Sequence, residues 1–88
     1  MRVVIVTRDN TEYSRAVQTF IDDFTRQTGK ELEVLDPDTR EGESFCRAYD
    51  IVKYPTIIAV GNGGQMLNIW NGEMLPTINE VSYYVSQD

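Results

Sequence analysis

Two hydroxyl side chains three residues apart, Thr11 and Ser14, and one thiol, Cys46, are the groups in this 88-residue chain whose types suggest nucleophilic chemistry. An alcohol attacks only when a neighbouring base takes its proton, and that base is most often histidine. The sequence contains no His, so only a lysine or a carboxylate remains for the role. The simpler reading is that Thr11 and Ser14 satisfy backbone N–H groups in the first turn of a helix, as Ser and Thr commonly do. Cys46 falls in a short predicted helix, where a single Cys reads as a small buried hydrophobe; if exposed, it would be open to an intermolecular disulfide. One Cys and no His leave no intrachain disulfide and no ligand set for zinc or an iron–sulfur cluster, and no cofactor is expected.

The elements that position these groups follow from hydrophobic spacing. Residues 2–7 form a β-branched run, apolar on both faces, as a central strand covered by helices would be. After the polar break Arg8-Asp9-Asn10, apolar residues at Tyr13, Ala16, Val17, Phe20, Ile21 and Phe24 predict a helix with one buried stripe. Asp9 and Glu12 have capping-box spacing for its start, and Gly29 supplies its stop. Leu32, Val34 and Leu35 mark a second strand ended by the turn Asp36-Pro37-Asp38. A helix over 41–50 should turn Phe45, Ala48 and Tyr49 inward. A third strand over 56–60 breaks at Gly61-Asn62-Gly63-Gly64, a hairpin signal, and a fourth covers 66–70. These glycines are no phosphate loop, because they open no helix. Finally, Thr77 and Glu80 form a second capping box for a closing helix that buries Ile78, Val81, Tyr84 and Val85. The order is βαβαββα in one domain over 1–88, without linker or repeat.

That order, read with three local segments, resembles the thioredoxin-like superfamily in its minimal, glutaredoxin-sized form. Val4-Ile5-Val6-Thr7-Arg8 followed by Thr11-Glu12-Tyr13-Ser14-Arg15 is similar to a glutaredoxin strand running into Cys-Pro-Tyr-Cys, with Tyr13 kept and both cysteines and the proline replaced. Tyr49-Asp50-Ile51-Val52-Lys53-Tyr54-Pro55-Thr56 resembles the thioredoxin segment around its cis-proline. Gly64-Gln65-Met66-Leu67-Asn68-Ile69-Trp70-Asn71-Gly72 matches the length of the family's hairpin strand and the glycine that closes it. The resemblance implies an α/β thioredoxin-like fold, a four-stranded mixed sheet flanked by helices. It also implies a site where the first helix's N-terminus faces the loop before Pro55. In the family the first Cys attacks and the second resolves. Here Thr11 and Ser14 occupy those positions, so disulfide exchange by that mechanism is not expected.

What the resemblance leaves in place is a binding edge. In the family the peptide bond before the proline is cis, and the backbone ahead of it pairs with extended peptide or glutathione. Carried over, Tyr13, Tyr54, Pro55 and Gly72 are the candidate peptide-binding residues, with Trp70 a further groove candidate; the aromatics are equally readable as boundary packing. Eight basic and fourteen acidic side chains give a net charge of −6, which repels nucleic acid and anionic lipid. The N-terminal segment lacks a signal-peptide core, and a cytoplasmic setting is expected. The expectation is a redox-inactive domain that binds a protein or an extended peptide. The alternatives are a thiol oxidoreductase using Cys46 or a partner's thiol, and a structural subunit of a complex.

Overall fold

Val3 to Val6 are buried on both faces of the first strand, β1 (Arg2–Val6), because alternate side chains serve two separate apolar layers. Val3 and Ile5 join one cluster with Val17, Phe20, Phe24 and Val81; Val4 and Val6 join another with Leu35, Phe45, Cys46 and Ile51. The computed structural model describes residues 2–72 and 74–85. Its remaining elements are α1 (Ser14–Thr28), β2 (Glu33–Leu35), α2 (Arg40–Tyr49), β3 (Thr56–Val60), β4 (Met66–Asn71) and α3 (Ile78–Val85), the predicted βαβαββα order. The sheet runs β2-β1-β3-β4, with β1 parallel to β2 and the other pairs antiparallel. It is the four-stranded mixed sheet expected. Helices α1 and α3 cover one face, and α2 covers the other.

One register decides where the site lies. Val6 pairs with Thr56, and Thr56 pairs with Asn71, so the β1 exit, the β3 entry and the β4 exit share one end of the sheet. The same end receives the β2 exit, because Leu35 pairs with Val6.

Helix α1 stops at Gly29, whose φ of 73° is left-handed and whose N–H donates to the Thr25 carbonyl at 2.8 Å. Its start differs from the Asp9–Glu12 capping box expected from sequence. Asn10 takes a positive φ of 58°, the chain turns there, and the helix begins only at Ser14, with no side-chain cap from Tyr13. The Thr77–Glu80 box, in contrast, forms: Glu80 N–H donates to Thr77 Oγ1 at 3.2 Å and Thr77 N–H to Glu80 Oε1 at 3.1 Å. In α2 the buried stripe is Gly42, Phe45 and Cys46, with half-buried Tyr49 beside it. Ala48, expected inside, is exposed because it falls off that i, i+3, i+4, i+7 face. Gly42 is required sterically, since a Cβ there would stand 1.8 Å from the Asp36 carbonyl oxygen. Among the described residues no helix is long and apolar enough to cross a membrane.

Candidate functional site

Thr7 continues the parallel ladder by donating its N–H to the Leu35 carbonyl at 3.0 Å, and the chain then loops over residues 8–13 into α1. Within that loop Thr11 and Ser14 come together. Their hydroxyl oxygens are 2.8 Å apart, the Thr11 N–H donates to Ser14 Oγ at 2.7 Å, and both oxygens approach the Arg8 carbonyl, at 3.5 and 3.4 Å. The hydroxyls therefore close a local turn, the role that Ser and Thr favour around helix starts. As neutral alcohols bonded to one another, they offer no thiolate-like nucleophile. Cys46 lies on α2, is buried, and belongs to the α2-side cluster against which Tyr54 packs.

Pro55 and Gly72 form a second pair. The Tyr54–Pro55 peptide bond is cis, Pro55 is fully buried, and its carbonyl accepts from the Gly72 N–H at 2.8 Å. Gly72 sits at φ 89°, a conformation that costs a side-chain-bearing residue heavily. Thr56, also buried, donates its hydroxyl to the Lys53 carbonyl at 2.6 Å and lies 3.1 Å from Asn71 Oδ1. The loop ahead of β3 is thus fixed from both sides. Tyr54 itself precedes the β1–β3 register, which ends at Thr56, and its backbone takes part in no turn, loop or cap hydrogen bond among the described residues.

Tyr13 and Tyr54 pack on different layers of the fold. Tyr13 packs against the cluster shared by α1 and α3, while Tyr54 packs against the α2 cluster, on the opposite face of the sheet. Its hydroxyl lies 3.5 Å from the Ile51 carbonyl. Burial pushes the Tyr54 phenol up from its ordinary range, and the neighbouring Cys46 adds to the shift. Trp70 packs on α3 against Tyr84.

Between the two tyrosines stands a residue the sequence reading passed over. Arg8 holds Asp38 in a two-point ion pair, Nε to Oδ2 at 3.0 Å and Nη2 to Oδ1 at 3.1 Å, while its guanidinium carbon lies 4.6 Å from the centre of the Tyr54 ring. This clamp ties the β1–α1 loop to the β2–α2 loop and roofs the tyrosine with a cation. Hydrogen bonding from Arg8, helped by its charge, holds the Asp38 carboxyl below its ordinary value. A signal existed in the parallel register: Val6 opposite Leu35 carries Arg8 and Asp38 out of the sheet side by side with opposite charges. Among the described residues no group of three or more His, Cys, Asp or Glu side chains could hold a metal ion.

No family model matches the chain, and no curated protein sequence does. Solved structures do resemble it. Thioredoxin 1 from the thermophilic eubacterium Thermosipho africanus TCF52B is 17% identical, with a TM-score of 0.66 over 99% of this chain and 92% of that one. A thioredoxin-2 described as a component of the malaria parasite protein secretion machinery is 21% identical, with a TM-score of 0.67 over 98% of this chain and 81% of that one. A thioredoxin from Thermus thermophilus is 21% identical, with a TM-score of 0.58 over 96% of this chain and 72% of that one. At these identities the likeness is one of fold.

Proposed function

We propose that this chain, whose fold is thioredoxin-like, is a binding module that takes an extended stretch of another protein along the Tyr54–Pro55 edge and carries out no thiol–disulfide exchange. The observation that carries the reading is the Tyr54 backbone. It stands immediately ahead of β3, outside the ladder, at the sheet end where α1 starts and Gly72 meets Pro55. An extended segment laid against it would gain main-chain hydrogen bonds of the kind a strand gains at a sheet edge. Two hydroxyls closed on each other at 2.8 Å stand where the resemblance implies an attacking thiolate, and the one thiol is buried. The cytoplasmic setting expected from the sequence belongs to the same proposal.

Selection of extended peptides from a displayed library, followed by affinity measurement on synthetic copies, tests the reading. Binding is expected to fall when alternate peptide nitrogens are methylated, because methylation removes the main-chain donors but keeps the side chains. Selected peptides that tolerate methylation at every position, or turnover of an insulin disulfide that persists in Cys46→Ser, would overturn it.

A further inference from the structure

A second set of aromatic rings lies away from the Pro55 end, where β4 meets α3. Trp70 and Tyr84 stand 5.7 Å apart between ring centroids with planes at 71°, and Tyr83 stands 5.1 Å from Tyr84 at 90°. Rings at near-right angles make a corner rather than a stack. Together with Asn68 and Glu80 they line a cleft of about 240 Å³. Tyr84 is braced by a hydrogen bond from Asn68 Nδ2 to its hydroxyl at 3.1 Å, whereas Tyr83 is 60% exposed. Tyr83 thus touches Tyr84 while leaving most of its surface open to the cleft and solvent.

The charge of the cleft has one sign. Among the described residues that line it, Glu80 is the single carboxylate, and neither Lys nor Arg is present. The carboxylate is fixed in place by the helix cap, accepting from the Thr77 N–H and from Thr77 Oγ1, both at 3.1 Å. Those bonds also hold its pKa below the ordinary value, so it is anionic at neutral pH. Aromatic faces attract cations through the ring quadrupole, and a carboxylate beside them adds to the same field. A sodium ion or bare ammonium would have to shed strongly held water that an open cleft does not replace. An alkylated ammonium is weakly hydrated and brings apolar surface for the rings to cover.

We propose that the corner formed by Trp70, Tyr83, Tyr84 and Glu80 is a binding site for an alkylated ammonium group, such as the head of choline or the side chain of a trimethylated lysine. The site is independent of the Tyr54–Pro55 edge. It could serve a small cation or a modified peptide through the same chemistry.

Trp70 is the one tryptophan of the chain, so its emission reports directly on the cleft. The wild-type protein is titrated with tetramethylammonium chloride, choline chloride, a short peptide carrying trimethyllysine, the same peptide with unmodified lysine, and sodium chloride, all at matched ionic strength. A saturable change in Trp70 emission is expected with the three alkylated ligands and none with sodium chloride. Glu80→Gln removes the charge but preserves the capping box, which accepts Gln at this position, and Tyr83→Leu alters an exposed ring; far-UV circular dichroism checks that both remain folded. Tyr83→Leu should weaken binding by about two- to fivefold, the factor one exposed cation–π contact supplies, and Glu80→Gln by about twofold or more, as one exposed ion pair would. Equal affinity for choline and the trimethyllysine peptide assigns the site to small cations, and a clear preference for the peptide assigns it to a modified protein. A response shared by sodium chloride or by unmodified lysine, or one that both variants leave unchanged, overturns the proposal.

Discussion

Thr11 and Ser14 hold their hydroxyl oxygens 2.8 Å apart, a separation from which two sulfurs at the same positions could approach bonding distance. The double substitution Thr11→Cys, Ser14→Cys is therefore expected to form a reversible intramolecular disulfide, seen as a loss of two mass units on mild oxidation and as protection from alkylation; independent alkylation of both thiols would show that the turn is held otherwise. Glu12 between them places negative charge near any thiolate and should keep such a variant a feeble catalyst. The Arg8–Asp38 clamp gives a pH-dependent expectation. Asp38 has its carboxyl pKa depressed in the folded chain, so its contribution to stability is present at neutral pH and disappears as pH falls through that lowered value. Both partners are exposed, so the effect is small and screened by salt. Asp38→Asn should lower the melting temperature slightly at pH 7, and the gap to wild type should close in acid or in high salt; a gap that stays constant down to pH 2 would contradict the assignment. The hydroxyl turn was legible only in part: Ser and Thr near a helix start bond locally, but Ser14 Oγ accepts from the Thr11 N–H ahead of α1, and Thr11 Oγ1 bonds to Ser14 and the Arg8 carbonyl rather than to an N–H of the first turn. Arg8 was not legible, because its partners lie 30 and 46 residues along the chain and meet it only through the strand register.

At the scale of elements, two capping boxes of the same spacing met different fates. Thr77 and Glu80 bond reciprocally, whereas Asp9 and Glu12 are passed over because the chain turns through Asn10 and starts its helix at Ser14. Spacing alone cannot reveal that a residue in between takes a positive φ. The strands were legible for a plainer reason: Val3 to Val6 of β1 and Ile57 to Val60 of β3 are apolar at every buried position, and a run without polar alternation belongs in the middle of a covered sheet. Helix α2 was found with Phe45, Cys46 and Tyr49 on its inward face as expected, and only Ala48 was misplaced. Its approach to the β2–α2 loop depends on Gly42. Gly42→Ala drives a methyl group into the Asp36 backbone and should cost about 2 kcal/mol or more, measured by urea unfolding. Gly29→Ala meets open space but keeps the left-handed φ, and should cost only about 1 kcal/mol. Equal losses at the two positions would mean that the close packing at Gly42 is relaxed.

For the molecule as a whole, the sheet order brings the exits of β1, β2 and β4 and the entry of β3 to one end. That convergence gathers residues scattered from Arg8 to Gly72 at one end of the sheet. The topology was readable from the order of apolar runs and from the resemblance around Pro55, but the distribution of the aromatics was not. Tyr13 and Tyr54 lie on opposite faces, and Trp70 turns to α3, because alternate positions of a strand face opposite layers and loop residues follow whichever layer has room. The proposed role rests on extended peptide binding along the Tyr54–Pro55 edge. Its most direct test is a two-dimensional ¹⁵N–¹H titration of the labelled protein with a peptide selected for binding. Chemical-shift changes are expected at the Lys53, Tyr54, Thr56 and Gly72 amides, together with slowed hydrogen exchange at Tyr54. Saturable binding that leaves those amides unmoved and shifts only β2 or α3 would contradict it.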